Sequence, residues 1–222
     1  MNQSEFNNHK GMLVTMMGIS PEFYVDFNRW YDREHMEERA AIPGFITSAR
    51  YEVVRGFPQY FCLYRTRSLN VFCSEAYRQA FQHQTPWSVT NLGRMKDCAR
   101  RVCAIVNQTG FGTAGWISVL RLGRPAGDGD LALIAEFSKA AQAMDGVIAT
   151  RLLVPSPELS GPLPTEDTRN RLLDPILVID ATSEPTAVAA GELVRSKLET
   201  DTKHLSVFRL LWELRNEDLL DK

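Results

Sequence analysis

The segment Arg29–Phe45 contains the residues whose types and spacing are best suited to chemistry. It reads RWYDREHMEERAAIPGF, in which Asp32 precedes His35 by three residues. Residues at this spacing are neighbours on a helix surface, and a carboxylate beside an imidazole can orient it as a general base near neutral pH. We therefore predict His35 as an acid–base group and Asp32 as its orienting partner. A purely structural helix histidine is the alternative.

Glu34 is the anomaly of the same helix. At about 100° per residue, one face of this helix collects apolar side chains, and Glu34 falls on that face. A carboxylate on a buried face is costly unless it is paired or functional, and burial raises its pKa towards neutral pH. Glu34 is therefore the third predicted catalytic residue, and pairing of Glu34 and Glu38 with arginines of the sheet is the alternative. The apolar stripe comprises Phe23, Phe27, Trp30, Tyr31 and Ala41.

Two strand-like segments, FITSARYEVV and QYFCLYRT, supply further candidates. Arginines in such apolar strands need an anionic partner, which is either a helix glutamate or the carboxylate of a substrate. His83 and Trp87 follow the second predicted helix and could face the same pocket. An exposed loop histidine and a core tryptophan are the respective alternatives. The predicted substrate-binding residues are Arg50, Arg65, Trp30, Tyr31, Tyr51, His83 and Trp87.

Sequence motifs for metals and cofactors are weak or missing. The four cysteines form no CxxC pair, and we predict free thiols in a reducing compartment. The sequence has no GxGxxG, P-loop, GxSxG or HExxH motif. Asp32 and His35 alone have a spacing typical of metal ligands, and haem would need His35 or His83 as its axial ligand. We therefore predict no metal and no cofactor.

The composition excludes several classes of partner. The chain has 222 residues, a net charge of -2 and a pI near 6.1, so it lacks the basic character of a nucleic-acid-binding protein. No apolar run approaches the roughly 20 residues needed to cross a bilayer, and the N-terminal residues resemble no signal peptide. We expect a cytoplasmic protein with a small-molecule substrate and no nucleic-acid or membrane partner. A homodimer is left open.

The predicted elements follow the order β-α-β-β-α-β twice. GMLVTMMG opens the first set as an apolar strand, and the following helix begins at Ser20-Pro21 and ends at Pro43-Gly44. In the second set, GWISVLRL is a strand and DLALIAEFSKAAQAMD is a helix that ends at Gly146. The predicted organisation is a polar N-terminal tail at 1-10, a first ferredoxin-like repeat at 11-107, a linker at 108-115, a second repeat at 116-215 and a C-terminal tail at 216-222.

Each set of elements is typical of a ferredoxin-like layer, in which an antiparallel sheet carries two helices on one face. The strands are apolar on nearly every residue, which indicates that the other face of each sheet is covered as well. We therefore predict an α+β fold in which two tandem repeats pack sheet to sheet as a barrel. The long segment 155-174 separates two strands, and we expect a mobile surface excursion there, with a lid or dimer contact as the alternative.

The motif WYDREH, followed by IPGF, ARY and later TPWS at 85-88, resembles a pattern in dimeric α+β barrel proteins of the ethyl tert-butyl ether degradation group. The resemblance covers roughly residues 11-106. The second repeat has no counterpart to the motif, so one site per chain is expected. The resemblance implies a barrel with a pocket between the sheet and its helices. It leaves the reaction open, because the superfamily includes cofactor-free isomerases, lyases, cyclases and monooxygenases as well as haem-binding proteins.

The predicted function is cofactor-free proton-transfer chemistry on a small carboxylated compound derived from an aromatic catabolite, such as a ring-cleavage product. His35 would shuttle the proton, and Arg50 or Arg65 would hold a carboxylate or enolate. The reaction would be an isomerisation, or the hydrolysis of an ester or lactone. Two alternatives stay open: a cofactor-independent monooxygenase of a phenolic substrate, and a non-catalytic small-molecule-binding or stress-response barrel in which WYDREH only docks the helix.

Overall fold

Eight antiparallel strands form a closed barrel. The computed structural model describes residues 9–220. The strands are Gly11–Gly18 (β1), Phe45–Arg55 (β2), Tyr60–Thr66 (β3), Lys96–Gly110 (β4), Trp116–Arg121 (β5), Val147–Pro155 (β6), Ile176–Ala181 (β7) and Leu205–Arg215 (β8). Around the barrel they follow the order β1-β3-β2-β8-β5-β7-β6-β4.

Helices cover the outside of the barrel. The first, α1, joins an α-helical part at Tyr24–Trp30, a π-helical turn at Tyr31–His35 and a second α-helical part at Met36–Ala40. The others are Glu75–Gln82 (α2), Pro86–Arg94 (α3), Asp130–Gln142 (α4) and Glu184–Lys197 (α5). Within residues 9–220, no helix has the length and apolar character needed to span a bilayer.

The strand order divides the barrel into two halves, β4-β1-β3-β2 and β8-β5-β7-β6. The edges of the halves pair as well, β2 with β8 and β4 with β6, so the two sheets form one continuous wall. The predicted α+β class and the barrel are confirmed. The origin of the two halves as tandem repeats stays a prediction.

Alternation along the strands sends one set of side chains into the barrel and the other set under the helices. The interior is filled by apolar side chains from both halves, among them Met16, Phe61, Val119 and Phe208. A core rich in aromatic rings lies under α1, α2 and α3. A second outer core, mainly aliphatic, lies under α4 and α5. Burial on both faces explains why the strands are apolar on nearly every residue.

Two local features differ from the sequence expectations. The helix α3 was not predicted, although Pro86 suits its first turn and the Thr85 hydroxyl caps it by accepting a hydrogen bond from the Ser88 N–H. The strand β4 continues to Gly110, into the predicted linker, because its last residues pair with β6 up to the contact of Gly110 with Ala149.

A long connection between β6 and β7, here called the strap (residues 156–175), runs beside β4. The Ser156 N–H donates to the Val102 carbonyl (2.7 Å), and the Ser160 hydroxyl accepts a hydrogen bond from the Val102 N–H (3.0 Å). The buried Glu166 carboxylate binds Arg101 (2.6 Å) and the Arg100 N–H (3.1 Å). These contacts replace those of a neighbouring strand and attach the strap to β4. Its role as a lid or dimer contact stays a prediction.

Candidate functional site

The π-helical turn of α1 lies within the WYDREH motif. It is closed by a hydrogen bond from the Met36 N–H to the Tyr31 carbonyl, five residues earlier, where an α-helix would bond four residues apart. Each residue of such a turn rotates by about 80° instead of about 100°. The side chains that follow Tyr31 therefore point in other directions than a regular helix would give them. Turns of this kind are frequent at functional sites.

A cavity of about 400 Å³ lies between the outer face of the first-half sheet and the layer of α1, α2, α3 and the strap. This is the position at which the family resemblance implies a pocket. Its volume falls in the range of small-molecule sites, and its wall is mainly apolar and aromatic. The wall includes Leu13, Thr15 and Met17 of β1, Tyr64 of β3, Tyr31, His35 and Arg39 of α1, Tyr77 and Phe81 of α2, Leu92 and Gly93 of α3, Arg100 of β4 and Leu163 of the strap.

His35 stands in the wall of this cavity with 8% of its surface exposed. Its ring packs on Trp30, with the ring centroids 4.4 Å apart, and meets Tyr31 edge-on at 4.9 Å. Among the described residues the imidazole has no hydrogen-bond partner, and Nδ1 is buried without one. Burial holds the pKa of His35 well below its ordinary value, and the charges of Arg39 and Arg50 act in the same direction. The ring is therefore a neutral base at pH 7.

The predicted pairing of Asp32 with His35 is not formed. Asp32 Oδ1 accepts hydrogen bonds from Arg50 Nη1 (3.4 Å) and Trp212 Nε1 (3.1 Å) instead. The physical reason is the π-turn. Over three residues it separates two side chains by about 120° around the helix axis, instead of the about 60° of a regular α-helix. Asp32 consequently faces β8, while His35 faces the cavity.

Glu34 connects α1 to α3. Its Oε1 accepts hydrogen bonds from Thr85 Oγ1 (2.6 Å) and Ser88 Oγ (3.0 Å), and Ser88 in turn accepts one from Trp30 Nε1 (3.0 Å). Hydroxyl groups thus satisfy this inward carboxylate, and the alternative of a partner arginine in the sheet is wrong. The Trp30 ring is fully buried beside His35 and supports it without lining the cavity.

Arg50 supports the site from outside the cavity. Its guanidinium is fully buried between two aromatic rings, 4.1 Å from the centroid of Tyr31 and 4.4 Å from that of Tyr60. It donates hydrogen bonds to Asn28 Oδ1 (2.8 Å) and to Asp32 Oδ1 (3.4 Å). Its Nε is buried without a partner, but Arg50 does not line the cavity, so the structure does not place it against a ligand there.

Arg65 and Tyr51 belong to the other face of the sheet. Tyr51 is buried in the barrel interior, and Arg65 alternates with Tyr64, which lines the cavity. Partial burial lowers the pKa of Arg65, and the nearby charge of Arg151 from the second half lowers it further. Both predicted substrate-binding residues therefore lie across the sheet from the cavity.

His83 and Trp87 lie outside the cavity as well. His83 is exposed and contacts only a carbonyl of its own helix, while Trp87 donates a hydrogen bond to Asp26 (3.2 Å). Of the predicted catalytic and substrate-binding residues, the structure brings only His35 and Tyr31 to the cavity wall. Of the two histidines considered as axial haem ligands, only His35 lines the cavity.

Sequence reasoning missed several polar residues of the cavity wall. The Thr15 and Tyr64 hydroxyl oxygens are buried without a hydrogen-bond partner among the described residues. Arg39 follows His35 by one helical turn, and Arg100 comes from β4. A polar residue in an apolar strand was an available signal for Thr15 and Arg100. Arg39 gave no signal, since basic residues are common near the ends of helices.

The cavity wall has a poor set of metal ligands. It contains one histidine and no carboxylate. Elsewhere in the described part of the chain, no group of three or more His, Cys, Asp or Glu is arranged to hold a metal ion. The four cysteines are free thiols.

Comparisons with known proteins agree on the fold only. No protein-family model and no curated protein matches the sequence. Among solved structures, the chain is similar to an anthrone oxidase-like protein, with a TM-score of 0.60, 11% identity and 94% of each chain covered. It is also similar to a candidate monooxygenase from Fusobacterium nucleatum, with a TM-score of 0.57, 7% identity and coverage of 93% of this chain and 94% of the other.

A chlorite dismutase from Candidatus Nitrospira defluvii, in complex with cyanide, is a third similar structure. Its TM-score is 0.51 and its identity 10%, and the match covers 96% of this chain and 93% of the other. At such identities the similarity establishes the architecture and no activity. The shared architecture is a closed antiparallel barrel covered by helices.

Proposed function

We propose that this protein is a cofactor-independent enzyme that removes a proton from a small ring compound bound in the cavity, with His35 as the base. The observation that carries the proposal is an unpaired neutral imidazole in the wall of an apolar cavity. Structural histidines in cores normally have hydrogen-bond partners, whereas His35 has none among residues 9–220. Perturbed titratable groups in clefts are candidates for catalysis.

The surroundings of His35 keep its ring in the form that can accept a proton. The lowered pKa also makes the ring a weaker base, so the proposal requires a substrate with an activated C–H or O–H group. The depressed pKa keeps the imidazole unprotonated at neutral pH, so it is ready to accept a proton. Trp30 and Tyr31 fix the plane of the ring, which takes over the orienting role that the sequence assigned to Asp32. Burial raises the pKa of Tyr64, so its hydroxyl remains a hydrogen-bond donor for a substrate oxygen.

The first candidate reaction is an isomerisation in which His35 takes a proton from one carbon and returns it to another. A ring-cleavage product of an aromatic catabolite remains our proposed substrate class. Ester or lactone hydrolysis is the variant of this proposal in which His35 takes the proton of an attacking water. The unpartnered hydroxyl groups of Thr15 and Tyr64 would be the partners of that water. Arg50 and Arg65 play no part in this proposal, since both lie away from the cavity.

The second candidate is a cofactor-independent monooxygenase, in which dioxygen adds to the carbanion or phenolate that His35 creates. The resulting hydroperoxide loses water and leaves one oxygen atom on the ring as a carbonyl, so the substrate itself supplies the two electrons. The apolar wall favours this candidate, because it excludes water from a reactive anion and accommodates a nonpolar gas. The names of the anthrone oxidase-like protein and the candidate monooxygenase point in the same direction. Both candidates share the first step and differ only in the fate of the anion.

Hydrogen–deuterium exchange tests the shared step. 2-Tetralone, a bicyclic ketone with an acidic C–H beside its carbonyl, is incubated in D₂O, and the loss of its C1–H signal is followed by proton NMR. We expect the wild-type protein to accelerate the exchange and His35→Gln to reduce that acceleration by about 10²-fold. The variant His204→Gln serves as the matched control, because His204 lines a separate pocket. Equal rates for wild type and His35→Gln would contradict the assignment.

An oxygen electrode separates the two candidate reactions. Oxygen uptake that depends on both 1-naphthol and His35 would favour the monooxygenase, and exchange without uptake would favour the isomerase. A non-catalytic binding barrel remains the third reading, and it predicts binding of ring compounds without exchange or uptake.

We also propose that the two halves are tandem ferredoxin-like repeats and that the chain is a relative of the ethyl tert-butyl ether degradation group. The shared strand order of the halves and the WYDREH motif support these assignments.

A further inference from the structure

The buried arginines of the described chain fall into two groups. Five are buried: Arg39, Arg50, Arg100, Arg101 and Arg151. Three of them bind a carboxylate directly. Arg50 binds Asp32 at 3.4 Å, Arg101 binds Glu166 at 2.6 Å, and Arg151 binds Asp180. The two arginines without a hydrogen-bonded carboxylate, Arg39 and Arg100, are the two that line the cavity.

Arg39 is the less satisfied of these two residues. Its nearest acid is Glu38, and the 3.8 Å between Arg39 Nη2 and Glu38 Oε2 is too long for a hydrogen bond. Glu38 is partly exposed; burial raises the pKa of its carboxyl, and the charge of Arg39 acts in the opposite direction. Arg39 Nη2 donates one hydrogen bond to the Ala80 carbonyl (2.9 Å), and Nε is buried without a partner.

Arg100 has neutral partners only. Its Nη1 donates to the carbonyls of Leu159 (2.8 Å) and Gly161 (3.1 Å) in the strap, and its Nη2 donates to the Tyr77 hydroxyl (2.8 Å). Its Nε is buried without a partner. These bonds hold the strap in place while leaving the positive charge of Arg100 without a carboxylate.

Among residues 9–220, the wall of the cavity thus carries two guanidinium groups and no carboxylate. A buried charge is costly unless an opposite charge offsets it, and the other buried arginines of this chain follow that rule. We propose that the missing negative charge belongs to the ligand, and that the cavity binds a ring compound with an anionic oxygen, with Arg39 as the main cation. This inference rests on the proposed function for the location of the site.

Arg39 is also placed to act with His35. It follows His35 by one turn of α1, and its charge contributes to the depressed pKa of His35, so the two groups are close. A carboxylate of the substrate would be held beside the base, and an enolate oxygen formed by proton removal would meet a cation already in position. The sequence assigned this role to Arg50 or Arg65.

A matched pair of probes tests the inference. 2-Naphthoate and 2-naphthamide share one ring system and nearly one shape, but only the first is charged at pH 8. Calorimetric titration of the wild-type protein should give binding of 2-naphthoate at least 10-fold tighter than that of 2-naphthamide. Equal affinities, or failure of both probes to bind, would overturn the inference.

Variants of single arginines show which guanidinium group causes the preference for 2-naphthoate. Arg39→Met should remove most of the preference for 2-naphthoate, and Arg39→Lys should retain part of it. Arg33→Met is the matched control, because Arg33 lies on the exposed face of the same helix. If Arg39→Met keeps the full preference while Arg100→Met loses it, Arg39 is not the main cation and that part of the inference fails.

The proposed role of His35 as a base and the proposed anionic ligand can be contradicted independently of each other. Binding of the naphthalene probes does not require proton transfer, so a preference for 2-naphthoate can survive even if His35→Gln keeps full exchange activity. Conversely, exchange that depends on His35, together with equal affinities for the two probes, would leave the proposed function standing and overturn the anionic ligand.

Discussion

The two halves of the barrel have the same strand order, but their helix layers are built differently. In the second half, α5 packs so closely on β5 that a Cβ at Gly191 would lie 2.7 Å from Leu205 and 3.0 Å from Ser118. Most of the residues that α4 and α5 bury are small. In the first half, α1 buries aromatic rings, α2 buries only Tyr77, and a cavity of about 400 Å³ remains beneath them.

This difference in helix packing explains why the cavity lies in the first half of the barrel. Large rings on α1, together with the added helix α3, hold the first-half layer away from its sheet. Small residues let the second-half layer close down on its own sheet. The cavity differs in charge as well. Arg39 in its wall has no hydrogen-bonded acid, whereas Arg151 in the second half is paired with Asp180. Away from the cavity, Arg50 and Arg101 of the first half are paired with carboxylates too.

The largest expected effect on stability concerns Arg151 and Arg39. Arg151→Met leaves the buried Asp180 without its cation, and we expect a loss of about 3–5 kcal/mol in the free energy of unfolding. Arg39→Met removes a cation whose recorded ion pair, with the partly exposed Glu38, is 3.8 Å long, so we expect a change within about 1 kcal/mol in either direction. Urea unfolding of both variants measures the contrast. Similar losses for the two variants would contradict the proposed difference between a paired Arg151 and a weakly paired Arg39.

Two glycines provide a second test of the difference in helix packing between the halves. Gly191→Val forces side-chain atoms against Leu205 and Ser118, and we expect a loss of about 1–3 kcal/mol in stability. Gly93→Val lies in α3 at the cavity wall, where a Cβ meets nothing within 4 Å, and we expect a change within about 0.5 kcal/mol. Thermal and urea unfolding test both. A large loss for Gly93→Val would show that the first-half layer is as tightly packed as the second.

The smallest expected effect is a pH dependence. The folded-state pKa of His35 is depressed, so between that pKa and the ordinary value of 6.5 the unfolded chain binds a proton that the folded chain does not. His35 therefore contributes stability above about pH 6.5, and this contribution is lost as the pH falls through that window. Unfolding at pH 7.5 and 5.5 should show a smaller acid-induced loss for His35→Gln than for the wild type. The opposite ranking would contradict a buried neutral imidazole.

The barrel could be predicted from the sequence because its signal is repeated in every strand. Apolar residues on both faces of strands such as GMLVTMMG and PILVI require two covered faces, and a closed barrel under helices provides them. His35 could be found because an unusual residue type stands at the edge of an apolar helix face. Both the apolar strands and the position of His35 on its helix depend on residues close together in the sequence, so they can be recognised without the structure.

The partners of the site residues could not be predicted in the same way. A regular helix at about 100° per residue pairs Asp32 with His35, and only the π-turn separates them. Arg39, Arg100 and the strap meet at the cavity through long-range contacts. The arginines of the sheet were recognised as needing anions, but spacing alone did not indicate that Arg50 had its own carboxylate.

The most direct test of the central claim is a crystal structure of the protein soaked with 2-naphthoate. We predict electron density for the naphthalene rings in the cavity beside His35 and Tyr31, with the carboxylate within hydrogen-bond distance of Arg39. An empty cavity, or a ligand seated in the separate pocket beside His204, would contradict the assignment of the cavity as the functional site.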